Sequence, residues 1–134
     1  MEVNINTISY IEPSDLLAFL DENYGGLTVP EDAVTPEDIE RFISLLGYCT
    51  NVKSFLNSLL SKLDIDTRLA KGSKDKVLAD RLICKKTLVK NYYDMIDDIS
   101  KTVSRQATLY FKVEDENKEE KRISNIQYGK RRFG

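Results

Sequence analysis

With 134 residues, 41% of them apolar and 31% charged, the chain is long enough for one modest core and too apolar to be disordered. It has no histidine and only two cysteines, Cys49 and Cys84, without CxxC spacing, which excludes Ser-His-Asp triads, Cys-His dyads and histidine-bearing zinc sites and makes an enzyme an unpromising reading. The net charge of −2 hides a strong asymmetry: residues 1–40 hold ten acids and no Lys or Arg, while the rest of the chain holds all 20 basic residues against 12 acids.

In chain order, "VNINTISYI" is β-prone and reads as a short strand or an extended arm over Val3 to Tyr10. "EPSDLLAFLDENYGG" reads as a short helix, with Pro13 in its first turn, Leu16, Leu17, Phe19 and Leu20 as an apolar stripe, and Gly25-Gly26 as its stop. A linker, "LTVPEDAV", follows.

Thr35-Pro36 opens the clearest helix. Thr35 can cap the free amides, Pro36 has no amide to leave unpaired, and Glu37, Asp38 and Glu40 suit the positive end of the dipole. Ile39, Phe42, Leu46, Cys49, Leu56, Leu59 and Leu63 keep a three-four spacing, and Leu45, Tyr48, Val52 and Phe55 form a second ridge beside it. Gly47 is the weak point, where a close contact, a kink or a break would be accommodated; the flanking pattern favours continuity.

Gly72-Ser73 reads as a stop and a restart. Leu78, Leu82, Val89, Tyr92, Ile96, Ile99 and Val103 then repeat at the four-three spacing of a coiled coil, interrupted at Lys85. Two helices of about 30 to 35 residues joined by so tight a turn form an antiparallel hairpin about 50 Å long, in which residue i faces roughly residue 145 − i. Both cysteines then read as buried thiols, too far apart along the hairpin for a disulfide. Two stripes this broad call for more cover than each other, which the short helix or self-association into a homo-oligomeric bundle would provide.

After Ser104-Arg105 the period changes. Leu109, Phe111 and Val113 alternate with Tyr110, Lys112 and Glu114 as in a strand, and "RISNIQY" can return as a second strand, giving a small β-hairpin or a sheet with Val3 to Ile8. The sequence thus predicts a mainly α protein of one domain, 1–134. Residues 1–34 form an acidic arm with a short helix, 35–106 a long antiparallel helical hairpin, and 107–134 a small C-terminal β-hairpin or β-like segment with a basic tail.

No GxxxxGK[ST] or GxGxxG loop occurs, so no nucleotide cofactor is expected, and Asp94, Asp97 and Asp98 sit beside lysines at i,i+4 spacing as on an ordinary solvated face. The constellation with most promise is basic. Lys76, Lys86, Lys90, Lys101 and Arg105 fall on one outward arc of the second long helix at 100° per residue, although Asp94, Asp97 and Asp98 share it, and Lys86, Lys90, Lys101 and Arg105 are the candidate phosphate contacts. Lys130, Arg131 and Arg132 lie between Tyr128 and Phe133, a mixture of cations and stacking surfaces suited to single strands. The equally simple reading of both is a solvated bundle surface with a basic tail. No apolar run approaches the roughly 18 residues of a membrane span, and "MEVNINTISY" lacks the regions of a signal peptide, so a cytoplasmic protein without a membrane partner is expected.

The acidic lead, the first long helix, the charged turn, the lysine-bearing "RLICKKTLVKNYYDMI" and the closing "TVSRQATLYF" together resemble the UvsY-like recombination mediators of T4-type phages over residues 36–113, with Ser104-Arg105 the part that aligns residue by residue. The resemblance implies a small, self-assembling, non-enzymatic helical protein of a phage-infected cell that binds single-stranded DNA and helps load a recombinase. The overall acidity, the longer C-terminal extension and the β-like ending depart from that pattern. The contrasting expectation is a structural or assembly component of a virion or other multiprotein particle, whose acidic arm or apolar helix faces dock on another protein. An inhibitor that binds a host protein is a third expectation.

Overall fold

The computed structural model describes residues 2–31 and 35–133, with side chains described for all of these except Glu114 and residues 117–133. Three helices account for the architecture: α1 (Pro13–Tyr24), α2 (Pro36–Gly72) and α3 (Lys76–Phe133), preceded by a single 3₁₀ turn at Ile8–Tyr10. α2 and α3 are the antiparallel hairpin that the apolar periodicity predicts; α1 packs on α3 and the 3₁₀ turn packs on α2. No strand occurs among the described residues.

The start of α2 obeys its sequence. The Thr35 side chain accepts from the Asp38 amide at 3.3 Å, and the Asp38 carboxylate accepts from the Thr35 amide at 3.0 Å. This reciprocal capping box satisfies donors that a helix leaves free at its first turn. α2 then runs unbroken through Gly47, where an added Cβ would meet nothing within 4 Å. Gly47 is therefore an exposed helical residue rather than a site of close packing.

The hairpin turn differs in detail from its expectation. α2 continues through Gly72, and Ser73 closes it by donating its hydroxyl to the Leu69 carbonyl at 2.7 Å. Lys74 takes the left-handed conformation, with φ 59°, and the amides of Lys74 and Asp75 reach back to the Lys71 and Ala70 carbonyls at 3.1 and 3.0 Å. This is a Schellman closure with lysine where glycine is usual. Asp75 caps α3 through the Leu78 amide at 3.1 Å. Because the turn is centred past Gly72, the register moves: Lys53 meets Asp97 and Lys86 meets Asp64, so residue i faces roughly 150 − i, not 145 − i.

The seam is apolar except at Thr67 and Lys85. Phe42, Cys49, Leu56, Leu59 and Leu63 of α2 and Leu82, Val89, Ile96 and Val103 of α3 are each at most 2% exposed, and Ile8, Leu16 and Leu20 extend the same core onto the N-terminal segment. Burying a side chain of this kind stabilises by about 1.5–3 kcal/mol, so the seam and not the turn holds the hairpin closed. Both cysteines are free, as their separation requires, but only Cys49 is buried; Cys84 is exposed because it lies on the flank of α3 away from the seam.

Two expectations of β-structure are corrected. Val3 to Tyr10 is neither strand nor extended arm: the Asn4 side chain accepts from the amides of Asn6 and Thr7 at 2.9 and 3.1 Å, coiling the chain into the 3₁₀ turn that buries Ile8. The C-terminal β-hairpin is also absent, since α3 continues through Leu109, Phe111 and Val113 to Phe133. Extending an existing helix adds a hydrogen bond per residue without a new nucleus, whereas a strand here would have no partner for its backbone. Alternate residues on a helix diverge by about 200°, and Leu109, Phe111 and Val113 accordingly splay outward, 61%, 45% and 56% exposed.

Candidate functional site

The outward arc of α3 carries the cations expected there, but not as a free basic stripe. Lys86 crosses to α2 and binds Asp64 at 3.0 Å, and this hydrogen bond is the main reason the Asp64 carboxyl titrates below its usual range. Lys90 pairs with Asp94 at 3.0 Å while its ammonium lies 5.1 Å from the centre of the Tyr93 ring. Lys101 binds Asp97 at 2.9 Å, and Lys53 of α2 reaches the other oxygen of the same carboxylate at 3.2 Å. The hydrogen bonds from Lys101 and Lys53 hold Asp97 low, and Asp97 in turn raises Lys101.

Arg105 is exposed like Lys90 and Lys101 but, unlike the three lysines, makes no ion pair among the described residues. Lys130, Arg131 and Arg132 fall on the part of α3 whose side chains lie outside the described residues. Exposed pairs of this kind contribute only about 0–1 kcal/mol each, so a polyanion could compete for the lysines, at the cost of freeing their aspartates. A shallow groove lies along the arc between the helices, lined by Leu60, Ile83, Lys86, Thr87, Lys90 and Asn91. Among the described residues no cluster of three Cys, Asp or Glu side chains is placed to hold a metal ion, and no helix is long and apolar enough to cross a membrane.

The opposite flank of α3 carries a polar site of another kind. Lys85, at the one interruption of the apolar repeat, is 4% exposed, and its ammonium donates to the Ser9 carbonyl at 2.8 Å. Burial lowers its pKa, the neighbouring Arg81 charge adds to the effect, and Glu12 and Cys84 oppose it. Around this contact the Ser9 hydroxyl donates to Asp66, Lys62 reaches the other Asp66 oxygen at 3.1 Å, and Arg81 pairs with Glu12. Burial pushes the Asp66 carboxyl up, but the hydrogen bonds from Ser9 and Lys62 outweigh it and leave the group below its ordinary value.

These contacts fasten the N-terminal segment across the hairpin at three points, one on α2 and two on α3. Part of the charge asymmetry is thereby explained, since Glu12 of the acidic arm docks on Arg81 of its own basic helix. The arm's Asp15, Asp21 and Glu22 stay exposed. The signal for this anchor was present in the sequence as a lysine at a seam position, but nothing there identified Ser9 as its partner. Comparisons with protein-family models, curated proteins and solved structures find no match for this chain.

Proposed function

We propose that this protein is a non-enzymatic, self-associating helical hairpin that serves as a component of a larger assembly. The observation that carries this reading is apolar exposure at both ends of a hairpin whose seam is already filled. Tyr10, Val77 and Leu69 are 87%, 73% and 66% exposed near the turn, and Ile43, Leu109 and Val113 are 54%, 61% and 56% exposed toward the start of α2. Apolar surface gathered in this way favours contact with another protein surface. Tyr48, one of the four residues of the second ridge on α2, also remains 41% exposed, so α1 and α3 together do not cover that helix. Sedimentation velocity across a concentration series tests the reading: concentration-dependent growth beyond the monomer supports it, and a monomer throughout overturns it.

A second reading is contact with single-stranded nucleic acid, as the resemblance to phage recombination mediators implies. What favours it is Arg105, which makes no ion pair among the described residues and lies on the same face as Lys86, Lys90 and Lys101, whose ion pairs are exposed enough to be exchanged for phosphate. Titration of labelled single-stranded DNA at about 50 mM salt should then show binding that weakens steeply as salt rises. Lys86→Glu with Lys90→Glu should weaken it further. If neither the double reversal nor removal of the 128–134 tail alters the titration, that reading fails.

A further inference from the structure

The self-association proposed above can be given a geometry from the two ends of the hairpin. At the turn, residues 68–78 carry four cations against one acid. Arg68 is paired with Asp64, while Lys71, Lys74 and Lys76 are exposed and form no ion pair among the described residues; Asp75 is occupied in capping α3. Beside these lysines stand Leu69 and Val77, and a groove lined by Tyr10, Leu69 and Leu78 opens between the turn and the N-terminal segment. This end is apolar and positive.

The opposite end has the complementary character. Residues 35–44 carry three acids and one arginine. Asp38 is spent on the capping box and on Arg41, which leaves Glu37 and Glu40 exposed without an ion pair among the described residues. Ile43 and Tyr48 lie on the same outward side of α2, within about 140° of arc with the two glutamates. Glu40 and Lys71 are separated by about 45 Å along α2, so the two surfaces cannot meet within one molecule.

We propose that the basic turn of one chain docks on the acidic start of α2 of a second copy, in a head-to-tail contact. Leu69 and Val77 meet Ile43 and Tyr48, while Lys71, Lys74 and Lys76 face Glu37 and Glu40. The contact closes as a two-fold dimer where two copies lie antiparallel and both unlike pairs form at once, and otherwise propagates into a ring or an open filament. The charges select the pairing of unlike ends, because like ends would bring unpaired charges of one sign together.

The test uses two reversed chains, each first checked for native helicity by circular dichroism: Lys71→Glu/Lys74→Glu/Lys76→Glu at the turn and Glu37→Lys/Glu40→Lys at the other end. Each alone should self-associate about tenfold more weakly than the parent or worse, and their equimolar mixture should recover assembly, because an acidic turn then meets a basic start. Parental association by either reversed chain alone, or mixtures that stay dissociated, would overturn the head-to-tail contact while leaving self-association itself standing. A turn reversal that abolishes binding to anionic vesicles but not self-association would likewise overturn it, assigning the turn to a charged surface instead. Only a parent chain that is monomeric throughout would remove the underlying reading.

Discussion

Lys85 and Lys86 are neighbours in sequence and opposites in circumstance. One residue's rotation of about 100° sends Lys85 under the N-terminal segment, where it is buried against a backbone carbonyl, and Lys86 onto the open face, where it meets Asp64 in a half-exposed pair. The covered flank of α3 is anchored by one desolvated contact, from Lys85 to Ser9, that is expensive to disturb. The open flank is a mosaic of exchangeable pairs, each cheap to lose. The difference shows that on a long helical hairpin the energetic meaning of a charge is set by which flank it occupies rather than by its residue type.

Charge reversal should expose that difference most strongly. Lys85→Glu would place a buried acid beside the Ser9 carbonyl and close to Glu12, and urea unfolding should report a loss of about 3–5 kcal/mol. Lys86→Glu, at an exposed pair, should cost about 1 kcal/mol or less. Equal losses at the two positions would break the comparison.

Titration gives a second contrast. The Lys85 pKa in the folded chain lies below its ordinary 10.5, so between the lowered value and 10.5 the unfolded chain binds more protons, and this group makes stability rise with pH across that window. Lys85→Met should remove the rise. Asp64, Asp66 and Asp97 are shifted below their ordinary 3.8, so the stability they contribute is present above that pH and is lost as the pH falls through their folded values. Unfolding curves taken across both pH ranges in the parent and in Lys85→Met would separate the two effects.

The smallest effects concern the backbone of the open flank and the turn. Gly47→Ala adds a Cβ into empty space on a continuous helix and should stabilise by about 0.5–1 kcal/mol, read as a higher urea midpoint. Lys74→Gly relieves the left-handed backbone at the turn and should also stabilise, by about 1 kcal/mol or less. Destabilisation by Gly47→Ala would mean that this face is covered in solution, which would sharpen the case for a partner there.

Much of the fold was legible because it is local. Thr35-Pro36 with its acids announced the start of α2, the three-four spacing identified both seam faces, and the continuity of that spacing across Gly47 outweighed the glycine. The C-terminal strand was misread because alternation at Leu109, Phe111 and Val113 records only that apolar and polar residues take turns. It does not say whether a second strand is available to pair. The candidate site was half legible: the arc of Lys86, Lys90, Lys101 and Arg105 follows from helical geometry, but the pairing that occupies its lysines depends partly on α2 arriving with Asp64 and Lys53.

By itself the sequence determined α1, α2, the part of α3 that lines the seam, the hairpin and the polarity of charge between its first 40 residues and the rest, because periodicity, capping and composition act within one or two turns of the chain. Only the tertiary structure decided the register, the burial of Lys85 beneath Ser9 and the exposure of apolar residues at both ends. Those depend on where the left-handed Lys74 centres the turn and on which distant segment comes to lie against each helix face.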